Sequence, residues 1–175
     1  MTVRGLAPGQ APSRLERLRA PTRAVVALLE RVPHEAIALL ARLSIAGLFW
    51  RSGQTKIEGF ALDPLLGRFE LGWPRLGPFT VDLFRDEYKV PLLSPELAAL
   101  AAASAEHLFP ILLVLGLATR FAALALLAMT AVIQLFVYPD AWPTHGTWAV
   151  SLLYLTARGP GRLSLDHWLL ARRST

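Results

Sequence analysis

A chain of 175 residues in which 54% are apolar, with a formal net charge of +5, is too hydrophobic for an ordinary soluble domain and reads as one small polytopic membrane bundle. The absence of cysteine excludes disulfides, thiolate zinc, iron–sulfur clusters and any thiol relay made by this chain alone. The excess positive charge does not point to nucleic acid, because the arginines gather beside apolar spans, where anionic lipid and membrane topology account for them.

Residues 1–33 read as a cytoplasmic tail ending in a short surface helix. Residues 1–21 are rich in Arg, Pro, Gly and Ala and carry few of the large apolar side chains that offset ordering entropy. Across 22–32, Val25, Val26, Leu29 and Val32 recur at helical spacing, a pattern for a helix lying on a membrane. Pro33 permits a change of direction into the first span. No cationic region with a small-residue cleavage site precedes that span, so it is read as its own insertion signal.

Residues 34–158 form one membrane domain with spans at about 35–56, 95–117, 121–138 and 142–157. A hydrocarbon core of ~30 Å needs roughly 20 helical residues, so the fourth span is short, with Trp142 and the 139–143 turn at its outer edge. The segment 57–94 is dense in Gly, Pro and aromatics and is expected to form an ordered outer cap. Within it a hairpin is placed around Gly72–Gly77, and 83–91 lies flat with Phe84 and Tyr88 towards lipid or the bundle. Gly159-Pro160-Gly161 ends the fourth span, and 159–175 reads as a surface helix and tail with Leu165, Trp168 and Leu169 towards lipid.

Topology follows from the cations. Arg4, Arg14, Arg17, Arg19, Arg23, Arg31, Arg120, Arg158, Arg162, Arg172 and Arg173 fall on one side of a four-span arrangement, and that side is cytoplasmic by the positive-inside rule. On the other side Arg68, Arg75, Arg85 and Lys89 are offset by carboxylates and accompanied by most of the aromatics. The fold class is therefore all-α, a four-helix transmembrane bundle, N-in and C-in, with an extended outer cap between spans one and two, in a bacterial inner membrane.

Ionisable residues inside a span are costly and face the bundle interior or water. On span one, Ser44, Gly47, Arg51, Gln54 and Glu58 form a small, polar stripe that is placed inward. Arg42, Phe49, Gly53 and Lys56 form the other stripe. Span two carries Glu106 and His107 after a run of small residues that permits close helix approach. Arg51 with Glu106 is the preferred pair and Arg42 the runner-up, since Arg42 is also placed to snorkel to the interface. His107 joins that cluster, with Gln54, Lys56 and Gln134 as further members. Either the cluster is a structural ion pair fixing helix register, or it lines a site for a quinone head group or passes a proton. One mid-membrane histidine is too few for bis-histidine haem, and His34, His145 and His167 sit near span ends, so no metal-ligand set is assembled.

Three stretches carry a family resemblance. Arg42 is followed by Ser52-Gly53, Lys56 and Gly59-Phe60. Glu106 precedes Leu115-Gly116-Leu117-Ala118-Thr119-Arg120. Arg158-Gly159-Pro160-Gly161 precedes Leu163-Ser164-Leu165-Asp166. In order and spacing, over residues 36–168, the chain resembles the DoxX family, and 83–91 and 138–143 look like its bacterial branch. The resemblance implies a four-helix membrane bundle and a place beside quinone-linked sulfur or terminal-oxidase systems, without the cysteines of thiol-active bundles of similar architecture. The expected role is an accessory or assembly subunit of a membrane redox or stress-response system, with the lipid bilayer and a soluble or membrane redox partner as its contacts. The alternative is a quinone-binding oxidoreductase subunit in which Arg51, Glu106 and His107 line the pocket and quinone is the cofactor. A small-solute carrier is weaker, because the chain shows no internal repeat. Substrate and oligomeric state are not legible at this level.

Overall fold

The computed structural model describes residues 22, 23, 25–63 and 67–173; the expected tail over 1–21 lies outside the described residues. The chain divides after Pro33 into two units. In the first, residues 25–29 are helical, and Val25, Val26, Leu28 and Leu29 are exposed.

The second unit begins at His34 and is mostly helical. Helix α1, His34–Gln54, starts directly after Pro33 and carries Glu35 in its first turn and Arg51 in its last, so both charges complement the helix dipole. Helix α2, Pro95–Leu115, is capped by Ser94, whose Oγ accepts the Leu97 N–H, with Pro95 in the first turn. It ends at Gly116 in the left-handed region (φ 65°), with Leu117 N–H donating to the Leu112 carbonyl. Helix α3, Thr119–Val132, continues as wider π turns through Ile133–Val137. Helix α4 spans Trp142–Arg158, and a short α5 spans Leu165–Arg173.

Three of these helices are long and apolar enough to cross a membrane: His34–Gln54, Pro95–Leu115 and Thr119–Val137. Ala38, Ile45 and Phe49 of α1, Leu113 of α2, Ala122, Ala123 and Leu126 of α3, and Leu152 and Leu155 of α4 share one buried core. The outward faces are apolar too: Leu40, Leu108, Leu124, Val150 and Leu153 are all more than half exposed. Water would oppose so much uncovered hydrocarbon, whereas lipid solvates it.

Between α1 and α2 the all-α expectation is corrected by an antiparallel hairpin, β1 (Ile57–Asp63) and β2 (Arg68–Leu76). The hairpin does not reverse around Gly72–Gly77, because Asp63 pairs with Arg68 and Gly72 sits inside β2, in an irregular stretch opposite Gly59. The two backbones approach so closely there that a Cβ on Gly72 would lie 2.5 Å from the Gly59 carbonyl oxygen. Pro74 is tolerated since a two-stranded sheet has no central strand. The hairpin is tied to α1 by Trp50 Nε1–H to the Leu62 carbonyl, 2.8 Å, and by Leu62 N–H to Gln54 Oε1, 2.8 Å. Beyond it, Thr80–Asp82 and the π turns Leu83–Tyr88 turn Phe84 into the protein, where it is 5% exposed and stacks edge-on with Tyr88.

Arg42 does not snorkel. It is 2% exposed, and its guanidinium donates to four carbonyls: Nε to Leu113 (2.7 Å), Nη2 to Val114 (2.7 Å), and Nη1 to Leu163 (2.7 Å) and Pro160 (3.2 Å). One cation from α1 thus satisfies the carboxyl end of α2 and fixes the 160–163 link. Nearby, Asp166 takes the Ala118 and Thr119 N–H groups at 2.7 and 2.9 Å, capping α3. Replacing Arg42 by Leu leaves four carbonyls without their donor. The expected loss is on the order of 3 to 6 kcal/mol, read as an earlier midpoint when the purified protein is unfolded by titrating a denaturing detergent into mild micelles.

Candidate functional site

The stripe of α1 that faces inward is Ala38, Arg42, Ile45, Ala46, Phe49 and Gly53, all buried. Ser44, Gly47 and Arg51 are exposed, so the two faces are the reverse of the sequence expectation. The pairing changes with them. Arg51 joins no ion pair among the described residues, and Glu106 binds Lys56 instead: Nζ to Oε2 is 2.7 Å, with the side chains 6% and 3% exposed.

The geometry follows from how α1 ends. After Gln54 the chain tightens, with Lys56 N–H donating to the Gly53 carbonyl at 2.9 Å. Ser52 and Lys56 are then one turn apart on one side, and Nζ reaches Ser52 Oγ at 3.0 Å and its carbonyl at 3.3 Å. Ser52 Oγ–H donates to Glu106 Oε1 at 3.2 Å. Gly53 allows α2 to come this close, since a Cβ there would meet the His107 ring at 2.7 Å and Glu106 Cβ at 3.1 Å. Arg42 lies fourteen residues away, about 21 Å along the helix, and belongs to the other end of the bundle.

His107 does not join the ion pair. Its Nδ1 stands 2.7 Å from the Ala103 carbonyl, which can only accept, so Nδ1 carries the proton. Nε2 then accepts from Gln54 Nε2 at 2.9 Å, while the Oε1 of the same amide takes the Leu62 N–H. Trp50 packs edge-on over the ring, 5.0 Å between centroids. With every polar atom engaged, His107 and Gln54 anchor the hairpin to the helices.

Gln134, the remaining member, sits with His145, a residue the sequence reading set aside as near a span end. Gln134 Nε2 donates to the Pro139 carbonyl, and its Oε1 faces His145 Nδ1 at 2.7 Å. Nδ1 must be the donor, because the amide oxygen only accepts, and in that tautomer Nε2 is the ring's acceptor. The signal was available: positions 134 and 145 are placed symmetrically about the 138–141 turn, so antiparallel helices bring them to one level. Trp148 packs on the His145 ring at 4.9 Å.

Lys56, Glu106, Ser52 and His145 all border one cavity of about 500 Å³. Its walls are apolar and aromatic: Leu48 and Phe49 of α1, Ala98 and Ala102 of α2, Met129 and Val132 of α3, Trp148 of α4, and Phe84 and Tyr88 from the segment after the hairpin. Tyr138 closes one side, its O–H donating to Glu87 at 2.6 Å. Among the described residues no group of three or more His, Asp or Glu stands together to hold a metal ion.

A buried charge that loses its partner is destabilising by about 3 to 5 kcal/mol, whereas removing both charges together is far less costly. Lys56→Met is therefore expected to weaken the fold by that amount, and Lys56→Met with Glu106→Met to recover most of it. Arg51→Ala should change stability by less than about 0.5 kcal/mol. A double-mutant cycle measured by unfolding in micelles checks all three; a large Arg51 effect with a neutral Lys56 would restore the original pairing.

The family model DoxX matches residues 37–139. Comparison with curated proteins yields no match, and neither does comparison with solved structures. The matched stretch holds the Lys56–Glu106 pair and, but for residues 34–36, the three membrane-length helices, and it covers more than half of the chain, which therefore belongs to the DoxX family of membrane proteins.

Proposed function

We propose that this DoxX protein is a four-span, N-in and C-in subunit of the bacterial inner membrane that accompanies a redox enzyme and holds the head group of a lipid-soluble quinone beside Lys56 and Glu106. The observation that carries this reading is that the buried ion pair opens on a cavity. A pair serving only to fix helix register would be packed over. At about 500 Å³ the space falls within the range of small-molecule sites, mostly apolar with a few convergent polar groups.

The donor set fits the group. Lys56 spends its hydrogens on Glu106 and Ser52, and Ser52 spends its own on Glu106. What the cavity has to spare is acceptors: the further lone pairs of the Glu106 carboxylate and Nε2 of His145. That favours the reduced, dihydroxy form over the dicarbonyl form. A bound quinone supplies two-electron, two-proton chemistry. The chain's part is to orient the ring between Phe49, Phe84, Tyr88 and Trp148, to exclude water, and to accept hydrogen bonds from the hydroxyl groups at Glu106 and His145. Lys56 Nζ, 2.7 Å from Oε2, fixes the Glu106 carboxylate at the wall.

Four spans are supported by α4. Its 17 residues reach the lower end of the usual ~17 to 25, its inner face joins the common core, and its outer face presents Val150 and Leu153. An even number of spans also collects the terminal arginines and Arg120 on one side. A green fluorescent reporter fused after Thr175 should light up and an alkaline phosphatase fused there should stay inactive; the reverse would refute the topology.

Ligand binding is tested by titrating a short-chain hydroquinone into purified protein and following the heat. Ala105→Phe fills the cavity from α2 and is expected to weaken binding at least tenfold, on the order of 1.4 kcal/mol or more, without lowering the unfolding midpoint. His145→Leu should favour the oxidised over the reduced form relative to wild type. Unchanged affinity in the filled variant would end the ligand reading and leave an accessory subunit with a structural pair.

A further inference from the structure

The bundle end that Arg42 ties together encloses a second cavity, of about 680 Å³, lined by the start of α1, the α2–α3 turn, the end of α4 with its 159–162 link, and α5. The sequence reading gave its arginines to anionic lipid and topology in general, without placing a site. We propose that it is a binding site for the phosphate of an anionic phospholipid, an inference that does not rest on the quinone reading.

Three guanidiniums border it, Arg120, Arg158 and Arg162. Two carboxylates do so as well. Asp166 has both oxygens committed to the Ala118 and Thr119 N–H groups, so its charge is directed at the amino end of α3; Glu35 lies in the first turn of α1. The cations therefore outnumber the carboxylates, and one of them is held in advance. Arg120 Nη1 donates to the Thr156 and Ala157 carbonyls at 2.8 and 3.0 Å, which fixes the plane of the group and caps α4. Its Nε and Nη2 edge lies over Gly159, where a Cβ would stand 3.4 Å from both atoms. Among the described residues that edge makes no hydrogen bond, and two parallel N–H groups are the fork that a phosphate oxyanion matches.

The apolar lining distinguishes a lipid from free phosphate. Phe121, Leu169 and Leu170 line the same cavity and are 64%, 44% and 63% exposed. Cations beside uncovered hydrocarbon present the two halves of a phospholipid in their natural order, head group then acyl chain. The last helix fits this placement. Ser164 caps it, its Oγ accepting the His167 N–H at 3.2 Å, and Arg172 covers the Trp168 ring at 3.6 Å, an arrangement suited to the membrane interface.

The test uses the full chain in a zwitterionic detergent, titrated in parallel with short-chain phosphatidylglycerol, short-chain phosphatidylcholine and inorganic phosphate, with thermal unfolding and native mass spectrometry as readouts. Arg158→Gln with Arg162→Gln is the informative variant, because both side chains are exposed and Arg120 keeps its cap on α4. Phosphatidylglycerol alone should protect the wild type, and the double variant should bind it roughly tenfold to thirtyfold more weakly with unchanged unfolding in phosphatidylcholine. Equal protection by phosphatidylcholine, or wild-type affinity in the double variant, would overturn the site. Protection by millimolar inorganic phosphate as strong as that by phosphatidylglycerol would overturn the lipid assignment and leave a free-anion site.

Discussion

The end of a buried helix is a chemical problem, because its last carbonyls lack their intrahelical i+4 partners. Arg42 solves it for α2, and much of the remaining structure depends on that solution. A planar guanidinium reaches Leu113 and Val114 with one edge and the 160–163 link with another, so a single α1 side chain sets how three segments meet. Gly116 has to be glycine both for its φ of 65° and because a Cβ would fall 2.9 Å from the Arg42 guanidinium and 2.5 Å from Ser164 Cβ. Asp166 performs the converse task at the start of α3, where unpaired N–H groups need an acceptor. Arg120 repeats the Arg42 device at the carboxyl end of α4. Cation meets carbonyl and anion meets amide, each charge supplied by a segment other than the one it caps.

These dependencies explain which parts of the fold could be read from residues alone. Helix ends were legible where local chemistry dictates them: Pro33, the Ser94-Pro95 start, Gly116, and the Gly159-Pro160-Gly161 break act through their own backbones. The inward face of α1 was not. In water, small polar residues and large apolar ones sort to opposite sides, but a span has hydrocarbon on one side and protein on the other, and polarity no longer ranks them. The better guide was spacing. Arg42, Phe49 and Lys56 are seven apart, the repeat of a packing seam, and they are buried together. Lys56 was further disguised because it lies past the helix end, where a tight turn rather than the helix carries it back towards Glu106. The hairpin turn was misplaced for a related reason: Gly72 reads as a turn residue, yet its role is to let another backbone come near.

The candidate site divides the same way. Glu106 announces itself as a carboxylate in a span, and its need for a cation follows directly. His145 was passed over because its place near a helix end looked peripheral, and only the return of the chain at 138–141 sets it beside Gln134. The aromatic walls contributed by Phe84 and Tyr88 come from π turns, whose i to i−5 bonding reflects tertiary packing more than local propensity.

Arg42 stands on the inward stripe of α1 and Lys56 in the turn that follows it, and the contrast between them bears on function. Both are buried cations. All the acceptors of Arg42 are backbone carbonyls already fixed by the fold, and the guanidinium meets them at four points. Lys56 faces a carboxylate that has lone pairs left over and a cavity in front of it. The first arrangement gains stability by spending four of its five N–H groups on carbonyls. The second leaves capacity unused beside an apolar space, and in a low-dielectric interior unused polar capacity is costly unless something fills it. That asymmetry separates a cation whose acceptors are all backbone carbonyls from one that stands, with its carboxylate, at the wall of a cavity.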